Sequence, residues 1–257
     1  MSFSVDQILA VLTAAQDRLA AAVQPLSPEQ LTRPAYPSEW SIAQVMSHLG
    51  SSTEIFGLYT QAGLAGEPIP GRDRISEIWD VWNAKTPDRQ AADSISAAVA
   101  FRQRIGALGP EERSAFRLGL FGMDLDLAGL LMLRLSEQVV HGWDVHVALD
   151  PTATLFPDGV VLMMDGLGQV ARLGKPTDEA QLIAVTTEGP DRRLLLSVGP
   201  DGASLTDAGE GDIKATLRLP AEAFIRLLFG RLDPDHTPPV QTEGVDLDLL
   251  RQTFPGF

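Results

Sequence analysis

The stretch of sequence that decides the fold runs Leu131-Met-Leu-Arg-Leu-Ser-Glu-Gln-Val-Val-His-Gly-Trp-Asp144. It is apolar enough to form a buried helix, yet it carries Arg134, Glu137, His141 and Asp144 at spacings of three and four residues. Residues at those spacings project from one side of a helix, so all four side chains are expected on one face. Because charge in a buried stripe needs a partner, the sequence predicts partners for these groups elsewhere in the fold.

A second segment carries a histidine that suits the same cluster. In Glu39-Trp-Ser-Ile-Ala-Gln-Val-Met-Ser-His-Leu-Gly50, Ser41 is placed to cap a helix, and His48 lies at the edge of that helix's buried stripe. Neutral imidazole nitrogen and carboxylate oxygen are ligands for zinc and similar ions, and three protein ligands leave one coordination position open. His48, Glu137 and His141 are therefore candidate ligands of a divalent metal. The alternative is that Glu137 and His141 form an exposed ion pair at helical spacing.

Taken together, the two segments resemble known signatures. The run Pro37-Ser-Glu-Trp-Ser-Ile-Ala-Gln-Val-Met-Ser-His48 resembles the signature of the DinB-like metal-binding four-helix bundles, in which P-x-x-W and a hydroxyl residue precede a helix with a histidine. Glu137, His141 and Asp144 match the E-x-x-x-H-x-x-D helix of those bundles. The closest resemblance is to the mycothiol-dependent maleylpyruvate isomerase family, and it covers nearly all of the chain.

That resemblance implies a fold of class α plus α/β. A DinB-like four-helix bundle, residues 1–150, is expected to precede a smaller domain similar to sterol carrier proteins, residues 151–257. The family's metal ligands fall on His48, Glu137 and His141. The family's C-terminal arginine falls on Arg231, which is expected at the mouth of the metal site, where it binds a carboxylate. Arg226, one turn earlier, is an alternative, and Arg231 could instead cap the preceding helix.

The hydrophobic pattern of the sequence predicts helices first and a sheet later. Amphipathic helices are predicted over residues 6–23, 41–62, 73–84, 91–108 and 127–148. Residues 109–126 are less regular and are predicted to form an ordered loop or a short extended piece. Beyond a predicted helix at 157–173 the period changes to two, and a mainly antiparallel sheet is predicted from residues 181–187, 193–198, 203–206 and 213–219. Helices are predicted again at 221–229 and 245–254.

Composition limits the classes of function. The chain has 257 residues and a net charge of -14, which disfavours nucleic acid and anionic membranes as partners. No apolar run is long enough to span a bilayer and no secretion signal is seen, so the protein is expected in the cytoplasm. Because the chain has no cysteine, any thiol chemistry requires a thiol cosubstrate. Arginine greatly outnumbers lysine, which is compatible with an actinobacterial source.

Asp144 and Arg134, which lie near the candidate ligands in sequence, each have two possible interpretations. Asp144 could hold the His141 imidazole by accepting its second N–H, or it could be solvated on the helix surface. Arg134 could anchor a carboxylate of the substrate or cosubstrate, or it could pair with Glu137. Trp40 and Trp143 flank the ligands in sequence and are expected to pack in the core.

Two hypotheses of function follow from the resemblance and the ligands. The first is a zinc-dependent enzyme that uses mycothiol, the thiol that actinobacteria make in place of glutathione, against a small-molecule electrophile. The thiolate could add reversibly to a conjugated double bond and give cis–trans isomerisation, or it could stay attached and give S-transfer, for example in detoxification. The second is a non-catalytic small-molecule-binding or stress protein, or a metal hydrolase, on the same fold. A monomer or a homodimer is expected.

Overall fold

The computed structural model describes residues 3–36, 39–209, 213 and 215–256. Pro37 and Ser38, which begin the first signature, and residue 214 of a predicted strand lie outside the described residues. The chain divides into two compact units, Met1–Gly159 and Val160–Phe257. The long helices belong to the first unit and the larger sheet belongs to the second.

The first unit is built around long helices that form a closed ring. They are α1 (Val5–Val23), α3 (Ile42–Ala65), α5 (Pro87–Ala107) and α7 (Leu127–Leu149), and the short α2 (Pro28–Leu31) separates α1 from α3. α1 packs against α5 and α7, and α3 packs against the same two helices. α4 (Arg72–Asn83) lies against α3. This ring confirms the predicted four-helix bundle.

Local sequence determines where the two helices that carry the candidate ligands begin. Ser41 caps α3, because its Oγ accepts a hydrogen bond from the Gln44 N–H while the Gln44 side chain accepts one from the Ser41 N–H. Asp126 caps α7 by accepting from the Gly129 N–H. Both caps satisfy N–H groups that have no partner within the helix. The registers of α3 and α7, and therefore the faces that they present, are fixed from their first turns.

Residues 109–126 are more regular than the sequence predicted. Pro110–Ala115 forms α6, and β1 (Leu118–Leu120) pairs with β2 (Met123–Leu125) in an antiparallel hairpin. The extended piece was predicted and the helix was not, because α6 buries none of its residues and therefore has no apolar period. The four-residue α2 was missed because it is too short to show a period.

The second unit packs helices against a mainly antiparallel sheet. Its strands, in the order β5-β4-β3-β6-β7, are β3 (Gln181–Glu188), β4 (Arg192–Gly199), β5 (Gly202–Asp207), β6 (Ala215–Pro220) and β7 (Gln241–Glu243). Neighbouring strands are antiparallel except β3 and β6, which run parallel with Ile183 opposite Ala215. The predicted fold class, a helical bundle followed by a mixed unit with a mainly antiparallel sheet, is confirmed.

The helices around this sheet differ in part from the prediction. The predicted helix at 157–173 is divided into α8 (Pro157–Met163), a 3-10 turn at Met164–Gly166 and α9 (Leu167–Ala171). α10 (Ala221–Leu228) packs on β6, and α11 (Leu247–Thr253) follows β7. β7 was not predicted, since its three residues are all exposed and do not alternate. Within the described ranges, no helix has the length and apolar character needed to cross a membrane.

Candidate metal centre

Two helices of the bundle bring the candidate ligands together. α3 carries His48, and α7 carries Glu137 and His141 one turn apart. His48 Nε2 lies 2.9 Å from Glu137 Oε2, and His141 Nε2 lies 3.8 Å from the same oxygen. One donor atom from each residue can be chosen so that all three lie within 4.8 Å of one another. The three side chains therefore form one compact cluster of two imidazoles and a carboxylate.

The cluster is partly open to solvent and keeps its carboxylate ionised. The side chains of His48, Glu137 and His141 are 28%, 35% and 14% exposed. Burial alone raises the pKa of Glu137, but the hydrogen bond with His48 and the charges of His141 and Arg134 outweigh it and lower the pKa to about 2. Glu137 is therefore anionic across the physiological pH range, as a metal ligand must be.

Asp144 is the buried partner of His141. Its side chain has 0% exposure, and its Oδ2 lies 2.8 Å from His141 Nδ1. This burial rules out the alternative that Asp144 is solvated on the helix surface. If Nδ1–H donates to this carboxylate, the lone pair of His141 is on Nε2, the nitrogen that faces Glu137. In that tautomer, Asp144 holds the ring in the orientation that a metal ligand needs.

Trp40 covers the two histidines, and the prediction that it packs in the core is wrong. Its ring lies 5.4 Å from that of His48 and is stacked 6.2 Å from that of His141, while the residue is 37% exposed. A bridge between Pro34 and Ser41, with the Ala35 N–H donating to the Trp40 carbonyl, holds the segment in place. The position of Trp40 directly before the N-cap of α3 was the feature of the sequence that could have indicated its place near His48.

Trp143, by contrast, packs in the core as predicted. It is 1% exposed, and its Nε1–H donates to the carbonyl of Ala153 at 2.8 Å. Its ring also meets the edge of Tyr36 at 5.1 Å. Trp143 therefore supports the helix that carries Glu137 and His141, and it is the indole of Trp40 that forms a wall of the site.

Arg134 lies one turn before Glu137 on α7 and is fully buried. Its Nη2 donates to Thr53 Oγ1 at 2.8 Å and to Gln138 Oε1 at 3.0 Å. It does not pair directly with Glu137 in the described part of the chain, so that alternative is wrong. Burial lowers the pKa of Arg134 to about 10, and the charge of Glu137 opposes this shift. The role of Arg134 in binding a cosubstrate stays a prediction.

The two arginines of the second unit differ in their surroundings. Arg226 makes a two-pronged ion pair with Glu222, with both N···O distances at 2.7 Å, and also donates to the carbonyl of His236 at 2.7 Å. Those bonds give Arg226 a structural role in holding the turn after α10. Arg231 follows Gly230, is 7% exposed, and donates from Nη1 to the carbonyl of Phe229 at 2.6 Å. Its role toward a substrate stays a prediction.

The donor set of the cluster fits a divalent ion. Two imidazole nitrogens and one carboxylate oxygen match the three protein ligands of catalytic zinc sites, which leave a further position for another ligand. Asp144 supplies the outer hydrogen bond that metal-binding histidines commonly have. Three residues on α3 and α7 therefore supply the candidate ligands, and Asp144 on α7 supports one of them.

Comparison with known proteins agrees with this fold. Residues 12–146 match the family described as the mycothiol maleylpyruvate isomerase N-terminal domain. The crystal structure of the mycothiol-dependent maleylpyruvate isomerase, and that of a mutant in which a histidine is replaced by alanine, each align with a TM-score of 0.68 and 12% identity. Each alignment covers 95% of this chain and 95% of the other. Compared by sequence with curated proteins, the chain matches none of them.

Proposed function

This chain belongs to the mycothiol maleylpyruvate isomerase family, whose N-terminal domain matches just over half of it, and we propose that it is a metal-dependent enzyme that uses mycothiol as a thiol cosubstrate. The observation that carries this proposal is the cluster of His48, Glu137 and His141, with donor atoms within 4.8 Å of one another. We propose zinc as the ion, because two imidazoles and one carboxylate form a common set of zinc ligands in enzymes.

The chain itself supplies no thiol. It has no cysteine, so a sulfur nucleophile must arrive with a cosubstrate. A divalent ion at the cluster would supply Lewis acidity that lowers the pKa of a nearby thiol, so that thiolate exists at neutral pH. This requirement agrees with the mycothiol dependence in the names of the family and of the similar solved structures.

Each residue named here has a separate task in this proposal. Glu137 provides the anionic ligand, and Asp144 positions His141 by accepting the Nδ1–H. Trp40 restricts access to one side of the two imidazoles, because its ring lies over both. Arg231 binds a carboxylate of the substrate or of the cosubstrate, a task that suits the planar guanidinium fork.

The proposed substrate is a small electrophile with a conjugated double bond. Addition of the thiolate to one carbon of that bond leaves a single bond that rotates, and loss of the thiolate restores the double bond as the other isomer. If the adduct is instead protonated and released, the product is a thioether and the reaction is S-transfer. The same ligands are compatible with isomerisation and with S-transfer, so the proposal includes both reactions.

Metal content and thiol dependence test the proposal. The protein purified without chelator is expected to hold one divalent ion per chain by mass spectrometry, and to turn over a conjugated carboxylate such as maleylpyruvate only when mycothiol is added. His141→Ala should lose both the ion and turnover while the helical circular dichroism persists. His146→Gln, on the same helix, is the matched control. Absence of the ion and of thiol-dependent turnover would support a non-catalytic binding protein, and turnover without any thiol would support a hydrolase.

Arg231→Lys separates substrate binding from a structural role. Lysine keeps the charge but loses the planar fork, so a large fall in turnover or in substrate affinity is expected at unchanged thermal stability. Arg226→Lys is the comparison, because it breaks a two-pronged ion pair and a bond to a backbone carbonyl and should mainly lower stability. A small loss of stability with normal kinetics in Arg231→Lys would instead show that Arg231 only caps α10.

A further inference from the structure

Among the described residues, the guanidinium of Arg134 is a buried charge without a charged hydrogen-bond partner. It has 0% exposure, and its Nη2 donates to the neutral Thr53 hydroxyl and Gln138 amide oxygen. Its Nε and Nη1 have no hydrogen-bond partner among the described residues. Such an arrangement does not stabilise a fold, because removing a charge from water is costly and apolar replacements for buried ions are often neutral or stabilising. Stability therefore does not explain the charge of Arg134, and a role at the candidate metal centre does.

Arg134 lies where its field reaches the candidate metal centre. It stands three residues before Glu137 on α7, and its Nη2 bonds Thr53, which lies five residues after His48 on α3. It is thus tied to both helices that carry the ligands, while its guanidinium makes no hydrogen bond to the ligands among the described residues.

Building on the function proposed above, we propose that Arg134 is the electrostatic determinant that makes this metal centre bind anions in preference to neutral ligands. A divalent ion, the carboxylates of Glu137 and Asp144, and two neutral imidazoles have charges that sum to zero. Arg134 makes the sum of these groups positive by one. An anion such as a thiolate is then attracted, while the ion itself is repelled.

The sign of these two effects distinguishes this role from a structural one. At a separation of about 10 Å and an effective dielectric constant of about 20, one unit charge changes the affinity for an anion on the order of tenfold. Removal of the charge should therefore weaken anion binding, and it should leave metal binding unchanged or stronger. Loss of a structural tie between α3 and α7 would weaken both, because the ligands would lose their alignment.

The experiment uses the full chain loaded with Co²⁺, whose visible spectrum reports on its ligands. Wild type, Arg134→Met and Arg134→Gln are titrated with Co²⁺ against a chelator and then with azide as the anion. Both variants are expected to bind Co²⁺ at least as tightly as wild type and azide about tenfold more weakly. Thr53→Val is the matched control, because it removes a hydrogen bond to Arg134 and leaves the charge, so its azide affinity should stay within about twofold of wild type.

The possible outcomes separate this inference from the proposed function. Unchanged azide affinity in a folded, Co²⁺-loaded Arg134→Met or Arg134→Gln protein overturns the inference, and so does a joint fall of both affinities. If wild type fails to bind Co²⁺, the metal-dependent function fails with it. If azide affinity falls as expected while mycothiol gives no turnover, the role of Arg134 stands and the thiol chemistry is rejected.

Discussion

At the scale of single residues, Asp144 has the most direct influence on the candidate ligands. Its buried carboxylate lies 2.8 Å from His141 Nδ1, and outer hydrogen bonds of this kind fix the tautomer of a metal-binding imidazole. We expect Asp144→Asn to weaken metal affinity by about 10- to 100-fold. Competition with a coloured chelator measures the affinity, and Asp124→Asn in the exposed hairpin is the control. Equal affinity in wild type and Asp144→Asn would show that Asp144 does not support the ligand.

Phe121 is a residue in a strained conformation that packing does not explain. It has φ of 52° in the two-residue turn between β1 and β2, followed by Gly122 with φ of 74°, and it is 80% exposed. Such turns favour Asn at the first position, because a bulky side chain in this region costs about 1–2 kcal/mol. We expect Phe121→Asn to raise the free energy of unfolding by about 1 kcal/mol in urea titrations.

Phe121→Ala provides the matched control for that strain. It removes the same exposed ring but keeps a Cβ atom and gains no local hydrogen bond, so its free energy of unfolding should stay close to that of wild type. If alanine stabilises the protein as much as asparagine does, the gain comes from removing an exposed aromatic ring and the strain account is wrong.

The ligand residues could be found from the sequence, while their surroundings could not. His141 lies one turn from Glu137 because a helix places residues four apart on one face, and spacing alone encodes this geometry. The position of Trp40 depends on a bridge between Pro34 and Ser41, which no helical period reveals. The partners of Arg134 likewise depend on the packing of α3 against α7. Contacts between elements therefore could not be predicted from the sequence.

At the scale of elements, length separates what the sequence predicted from what it missed. The long helices α1 and α7 begin and end within a residue or so of the predicted ranges, because many apolar positions define their period. The elements that were missed, α2, α6 and β7, are short, and α6 and β7 bury none of their residues. A hydrophobic period arises because one face of an element is buried, so an element that buries no residue shows no such period.

The end of α10 depends on Gly230, which gives a prediction at this scale. Gly230 has φ of 71°, and an added Cβ would lie 2.3 Å from the backbone nitrogen of Gly256. We expect Gly230→Ala to lower the free energy of unfolding by about 3 kcal/mol, because backbone strain and overpacking add together. Gly66→Ala is the control, since Gly66 has φ of 66° and no contact within 4 Å of an added Cβ is seen among the described residues. Equal losses in the two variants would show that the contact with Gly256 contributes nothing.

At the scale of the whole molecule, partly buried ionisable groups make stability depend on pH in two different ranges. The pKa of Glu137 is lowered to about 2, so its contribution is present above about pH 4.5 and is lost as the pH falls toward 2. His146 affects stability in a higher pH range. It is partly buried near the end of α7, and burial together with the charge of Arg18 lowers its pKa to about 4.

The window for His146 follows from the sign of its shift. Its folded pKa lies below the unfolded value of 6.5, so the unfolded chain binds a proton first as the pH falls. Stability should therefore decline between about pH 6.5 and pH 4, by about 2 kcal/mol after allowance for the partial exposure of the ring. Urea unfolding at a series of pH values should show this slope in wild type and a flatter curve in His146→Gln. Arg18→Gln should flatten it in part, because burial is the larger cause and stays. A slope in His146→Gln as steep as in wild type would place the titrating group elsewhere.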